Sequence, residues 1–384
     1  MVGGGPAGMT LALLLLRAGR SVTVLEKHAD FLRDFRGDTV HASTIALMDE
    51  LGFGEEFLRL PHRKVRTLEG TFADGTFTIA DFGRLPGRHQ YIAVMPQWDF
   101  LEFLASKASA YPGFSLLRST EATGLLRSDR DGVVQGVAAR GQDGPVEVWA
   151  RLTVACDGRY STVRRELGLR PHEFGAPMDV LWFRLPRSPG DPEGLGLRVG
   201  AGQALVLIDR GDYFQIAYVL PKGAYDTVVA AGLDHFRATV ARLAPFFAGR
   251  TEAIKSWDDV KMLTVRVDRL RRWHAPGVLL IGDAAHAMSP IGGVGVNLAV
   301  QDAVAVARLL PTGDLAKVQR RRQPPTVATQ MLQRILQRAV IARVLGASEP
   351  VPAPFFVRLA DRLPVLQGLT ARMVGIGLRP EHIG

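Results

Sequence analysis

The sequence predicts an α/β fold, and three observations predict it. Short β-branched runs alternate with apolar runs at helical spacing, a glycine-rich stretch opens the first helix, and a second glycine-rich block follows a late strand. The 384 residues suggest two or three domains, or two interleaved ones, at about 150 residues per domain. Apolar residues at 47 % and charged residues at 22 % exclude disordered, fibrous and coiled-coil classes.

The first helix carries the apolar run 11–16 and is preceded by Gly3-Gly4-Gly5-Pro6-Ala7-Gly8. Those residues fit G-x-G-x-x-G on Gly3, Gly5 and Gly8, glycines that let a backbone approach a pyrophosphate at a helix N-terminus rich in free N–H groups. With 41 glycines in the chain the motif alone is weak, and its context strengthens it. A strand at 21–25 follows and ends at Glu26, 18 residues after Gly8, where a carboxylate would accept both hydroxyls of an adenosine ribose; Lys27 stands beside it. This is the pattern of a Rossmann-like unit. Only Met1 and Val2 precede the motif, which ordinarily follows a strand of about four to six apolar residues, so the first strand is expected to be nearly missing and the sequence to begin short of it.

Between about 170 and 270 the chain is rich in Trp182, Phe183, Phe214 and Tyr218 among turn clusters, which predicts a separate antiparallel sheet. A late strand at 277–281 leads into Gly282-Asp283-Ala284-Ala285-His286, then Pro290-Ile291-Gly292-Gly293-Val294-Gly295-Val296-Asn297 and Gln301-Asp302. Asp283 is therefore expected at a strand's carboxyl end, able to hold a sugar-alcohol hydroxyl. Pro290, Gly293, Val294 and Gly295 would bring backbone N–H groups to a flat ring and stabilise negative charge on it. After 325, Leu332, Ile335, Leu336, Val340 and Ile341 recur at helical spacing and predict an amphipathic helix; a further apolar segment, 355–376, is broken by Pro364. This tail is expected to pack across the core or a subunit interface, which leaves a homodimer open.

The two glycine blocks together resemble the FAD-dependent monooxygenases of the aromatic-hydroxylase type, the group A flavoproteins similar to p-hydroxybenzoate hydroxylase. Asp157-Gly158-Arg159-Tyr160-Ser161-Thr162-Val163-Arg164 looks like that family's D-G-x-x-S-x-x-R motif, Arg36 stands where the family places an Arg against FAD, and Gln97 matches its FAD-contacting Gln. The likeness covers about residues 1–310. It implies a discontinuous FAD-binding domain (1–75, 97–168 and 275–325), a β-sheet substrate domain (76–96 and 169–274) and a helical tail (326–384). The implied cofactor set is Gly3, Gly5, Ala7, Gly8, Glu26, Lys27, Arg36, Gln97, Asp157, Asp283, Pro290, Gly293, Val294 and Gly295. NAD(P)H would be a transient co-substrate, and a flavin C4a-hydroperoxide would pass one oxygen of O₂ to an aromatic or polycyclic, hydrophobic or phenolic substrate. Such chemistry needs a dry site, which suits an apolar sheet lid bearing Trp182, Phe183, Phe214 and Tyr218. No catalytic base is named by the sequence.

Readings on the same fold that remain open are a flavin halogenase, lowered by the absence of W-x-W-x-I-P, a Baeyer–Villiger-type oxygenase, and an isoprenoid double-bond reductase. A flavin-free binding protein is the reading from another class. His41 stays open between cofactor contact and packing, and His286 reads as structural. Cys156, the single cysteine, cannot form an intramolecular disulfide or a Cys-based zinc site and points to a reducing, cytoplasmic setting. No spacing of His, Cys and carboxylates reads as a metal site, and no G-x-S-x-G elbow appears. The net charge is +9, yet the densest basic run, Arg320-Arg321-Arg322, has no interleaved aromatics, so nucleic acid is not an expected partner. The run 11–16 is far below the roughly 20 residues of a membrane span and has no basic segment before it, so neither a span nor a signal peptide is expected.

Overall fold

The computed structural model describes residues 1–32 and 39–383. In its first half the elements that frame the site are α1 (Pro6–Arg17), β1 (Val22–Leu25), α2 (Ala42–Glu50), β2 (Thr67–Phe72), β3 (Gly75–Asp81), α3 (Gln97–Ser109), β4 (Phe114–Leu117) and β5 (Thr153–Ala155). Then come β6 (Met178–Pro186), β7 (Leu195–Val199), β8 (Ala204–Asp209), β9 (Tyr213–Pro221), α4 (Leu233–Leu243), β10 (Lys261–Leu263) and β11 (Val278–Leu280). The longer helices toward the C-terminus are α5 (Gly295–Leu309), α6 (Leu315–Leu336), α7 (Phe355–Arg362) and α8 (Pro364–Gly375).

A parallel sheet runs β4, β1, Val2, β5, β11, with Val2 bridging Leu25 on one side and Ala155 on the other. The first strand of this sheet is therefore present as a very short piece. Its backbone is fully engaged: Val2 N donates to Val154 O (2.9 Å), Gly3 N to Leu25 O (2.8 Å), and Cys156 N to Val2 O (2.7 Å). Helix α1 is buried on every side from Ala7 to Leu16 and packs on α5 and α3, as an all-apolar helix must. The stretch Ile291–Thr312, which contains α5, has the length and hydropathy of a membrane span, but 67 % of its most apolar 18-residue window is buried inside the protein.

The second sheet has seven strands in the order β10, β6, β9, β8, β7, β2, β3; β7 and β2 are parallel and the other pairs antiparallel. The antiparallel sheet expected between 170 and 270 thus recruits the hairpin β2–β3. A boundary between residues 75 and 76 falls at the start of β3 and would split that hairpin, while Ile92–Val94 pairs with Thr39–Val40 and Arg63–Val65 in a separate small sheet.

Side chains alternate across a strand, and this sorts the aromatic residues. Phe183, Phe214 and Tyr218 share one face with Leu181, Leu205 and Ile216, and there they pack against Phe236 and Val240 of α4. Trp182 lies on the opposite face with Val206, against clusters that include Ala371 of α8 and have Ile291 and Val374 packed on them. The expected four-aromatic lid is corrected accordingly: only Trp182 of the four looks toward the late glycine block.

The tail also differs from expectation. Helix α6 runs without interruption through Pro324 and Pro325, so a boundary at 326 falls in mid-helix. Its buried stripe is Arg322, Thr326, Gln330 and Gln333, continued by Gln337, whereas Ile335 is 50 % exposed. The helix is amphipathic with a polar inner face. The break at Pro364 separates α7 from α8, where proline takes the first helical position.

Candidate active site

The parallel strands β1, β5 and β11, with Val2 between the first two, end at one edge, and both glycine blocks lie there. Gly3 has φ +100°, and a Cβ on it would sit 2.4 Å from Cys156 O; one on Gly8 would sit 2.0 Å from Gly3 O. The first and third glycines of the motif are thus required by backbone packing. Gly5, in contrast, faces open space with nothing within 4 Å, and it begins α1 with Pro6 at the first position and no side-chain cap. The first-turn N–H groups of α1, including that of Ala7, therefore have no side-chain acceptor.

Around this loop, the Glu26 carboxylate is 6 % exposed and accepts from Gly4 N and His28 N, each at 3.0 Å. Lys27 is exposed at the same strand end. Asp157 follows β5; its Oδ2 accepts from Val163 N (3.2 Å), while Oδ1 is buried without a partner among the described residues, and burial raises its carboxyl pKa. Cys156 is an inert core thiol, pushed up to about 12 by burial. Gln97 is half-buried as the first residue of α3. Arg36 lies outside the described residues.

In the late block, Asp283 sits in a single 3₁₀ turn, half-buried, with Arg159 Nη2 3.3 Å from its Oδ2. Arg164, 8 % exposed, donates to Ala284 O (3.4 Å) and to Arg159 O. The D-G-x-x-S-x-x-R segment and the G-D turn are tied together through these two arginines. The two glycine blocks also touch, since a Cβ on Gly282 would lie 3.5 Å from Ala7 Cβ. Beyond Pro290, Gly292 and Gly293 take φ +79° and +62°, which favours glycine at both. Val294 and Gly295 then open α5, again with no side-chain cap.

Three residues named by the sequence have partners that it did not reveal. Asp302, inside the apolar helix α5, accepts from Gly282 N (3.0 Å), His286 Nε2 (2.6 Å) and Arg322 Nε (3.0 Å). Burial opposes its charge, but His286 and Arg322 prevail and hold its carboxyl below the usual range. Asn297 Oδ1 accepts from Ser43 Oγ (2.7 Å) and Thr44 Oγ1 (2.9 Å), joining α5 to α2. His41 is fully buried, with Nδ1 2.7 Å from Val374 O; a carbonyl only accepts, so Nδ1 carries the proton. Burial pushes the His41 pKa down to about 4, and its Nε2 has no partner. A polar residue inside an apolar run was the available signal for Asp302 and Asn297.

A model of the FAD binding domain family matches residues 1–316. The chain belongs to the FAD binding domain family. It is 34 % identical over 386 residues to 6-methylpretetramide 4-monooxygenase of Streptomyces rimosus, covering 97 % of this chain and 91 % of that protein. To a rifampicin monooxygenase of Streptomyces venezuelae it is 30 % identical over 364 residues, covering 92 % and 72 %. The anhydrotetracycline hydroxylase structure from Streptomyces rimosus superposes with a TM-score of 0.73 at 25 % identity, covering 100 % of this chain and 76 % of that one. As a member of the FAD binding domain family with monooxygenase relatives, the protein is an FAD-dependent oxidoreductase of the monooxygenase type. Its residues fit the family cofactor. A buried unpartnered carboxylate oxygen on Asp157, two helix N-termini free of side-chain caps, and the open flank of Gly5 all lie at the carboxyl edge of one parallel sheet.

Proposed function

We propose that this protein uses NAD(P)H and O₂ to insert one oxygen atom into an aromatic or polycyclic phenolic substrate. The observation that carries the reading is the meeting, at the carboxyl edge of the parallel sheet, of two uncapped helix N-termini with the orphaned Asp157 carboxylate oxygen. FAD, when bound, supplies two-electron transfer and activation of O₂. The backbone at Gly3, Gly5, Ala7 and Gly8 would take its pyrophosphate, Glu26 and Lys27 its ribose end, with Arg36, Gln97 and Asp157 alongside. Asp283 would hold the sugar-alcohol chain, and Pro290, Gly293, Val294 and Gly295 would lie against the flavin ring, where the α5 N-terminus favours negative charge.

The remaining residues exclude water and orient the substrate. The seven-stranded sheet, extended by β2 and β3, would be the substrate-bearing part, with its Trp182 face turned to the late block and α8. Trp182 Nε1 is a buried donor without a partner among the described residues, suited to an oxygen acceptor on a polycyclic ring system. The relatives' names, a methylpretetramide and a rifampicin monooxygenase, support the polycyclic class. A chain with one cysteine suits a reducing, cytoplasmic setting.

The experiment is substrate-stimulated NAD(P)H oxidation across phenol, polyketide and isoprenoid panels under ¹⁸O₂. One NAD(P)H and one O₂ consumed per oxygen inserted, with label in the product, is the expected result. Stoichiometric hydrogen peroxide with every substrate, or product oxygen from water, would overturn it in favour of the reductase reading.

A further inference from the structure

Helix α6 turns a polar stripe inward, and that stripe holds irregular backbone. Gln319 Oε1 accepts from Trp273 N (3.1 Å) and its Nε2 donates to Arg271 O (2.7 Å). Gln330 Nε2 donates to Asp268 O (2.8 Å) and Ala287 O (3.0 Å), while its Oε1 accepts from Arg269 Nη1 (2.7 Å). Gln333 Oε1 accepts from Ser289 N (3.1 Å), and its Nε2 donates to Ser289 O (3.0 Å) and Ile291 O (2.9 Å). Gln337 Nε2 donates to Ser289 Oγ (3.0 Å).

Ser289 therefore has its N–H, its carbonyl and its hydroxyl all engaged by Gln333 and Gln337 from one helix. The segment it belongs to has no strand or helix to satisfy its backbone, and it is buried. A carboxamide offers one acceptor and two donor hydrogens, so a single glutamine can serve the N–H and both carbonyls here. No other side chain of that length supplies both roles. Directly after Ile291 come Gly292 and Gly293 at positive φ and then the uncapped start of α5. Gly293 N donates back to Pro290 O (3.0 Å), so the direction of the N–H groups at 294 and 295 follows from where Ser289 and Ile291 are held.

We propose that Gln333, flanked by Gln330 and Gln337, is the positioning residue for the loop 289–295 and sets the aim of its backbone N–H groups at the flavin. The inference rests on the cofactor placement proposed above and not on the oxygenation step. A wild-type protein that binds FAD yet oxygenates nothing would leave it standing.

Gln319 is the internal control. It clamps backbone from the same helix in the same manner, but at residues 271 and 273 and not at the loop 289–295. Gln333→Met and Gln319→Met should both lower the melting temperature. Only Gln333→Met should weaken FAD binding by about tenfold or more, shift the visible flavin spectrum, and speed amide exchange at Ser289 and 293–295 in the FAD-free protein. Gln333→Asn keeps the carboxamide but ends one methylene short of Ser289 and Ile291, so it should show the same changes in weaker form; if Gln333→Met does not fold, this variant decides. FAD affinity within twofold of wild type with unchanged spectrum and exchange in the folded Gln333 variants, or equal changes in Gln319→Met, would overturn the proposal.

Discussion

Arg322 Nε lies 3.0 Å from Asp302 Oδ1 in a place where the two side chains are 1 % and 0 % exposed. Through Nη1 the same guanidinium reaches Glu381 Oε1 (3.3 Å) and Arg379 O (3.0 Å), and the second oxygen of Asp302 takes Gly282 N and His286. Helix α6, the C-terminal residues and the G-D turn thus share one buried network. Removing one partner of such a network leaves charges uncompensated, at a cost of about 3–5 kcal/mol. Arg322→Met should lower stability by that amount in urea unfolding, although its volume is nearly kept. A loss below about 1 kcal/mol would mean that Glu381 and Asp302 are neutralised without it.

Asp283 tests the late block. Its carboxylate is half-buried beside Arg159, so the lost hydrogen bond should count toward the lower end of the range for charged groups. Asp283→Ala should weaken FAD binding by roughly tenfold in a fluorescence titration, with stability little changed. Unchanged affinity would remove Asp283 from the cofactor set.

The first block separates packing glycines from a binding glycine. Gly5 has φ −75° and an open flank, so Gly5→Ala should leave the FAD-free protein within about 0.5 kcal/mol of wild type while lowering FAD affinity, because the new methyl occupies the flank proposed for the pyrophosphate. Gly8→Ala would drive a methyl to 2.0 Å from Gly3 O and should destabilise the fold with or without FAD. Thermal melts with and without FAD distinguish the two, and equal destabilisation would contradict this division.

His41 makes stability fall with acid. Its pKa drops from an unfolded value of 6.5 to about 4 in the folded protein because burial disfavours the charged ring. Between those values the unfolded chain binds a proton that the folded one does not, so stability rises with pH across that window. Relative to a His41→Gln variant, wild type should lose about 3 kcal/mol from pH 7 to pH 4. Parallel stability curves for the two proteins over that range would show that burial does not shift His41 in the fold.

The motifs that proved legible are those whose requirement is local. Gly8 is dictated by its close approach to Gly3 five residues earlier, and Gly3 and the glycines of the late block carry their own positive φ values. The alternation of faces around Trp182 and Phe183 is written in the strand period, yet which face meets the late block depends on how the sheet docks. For α6 and its continuation the apolar spacing marked only part of the inner face: Val340 and Ile341 pack on a core cluster, while Ile335 is exposed and glutamines line the buried stripe. Its glutamines turn inward because buried backbone some 40–60 residues away needs donors and acceptors, and the unmet need of Ser289 or Ile291 is invisible in their own neighbourhood. The same holds for Asp302, Arg322 and Glu381, whose charges are tolerable only in one another's company. By itself the sequence determined the α/β class and the family, since these follow from periodicity and short motifs. Only the tertiary structure decided which polar groups are buried together, because the partner that makes burial affordable comes from a distant part of the chain.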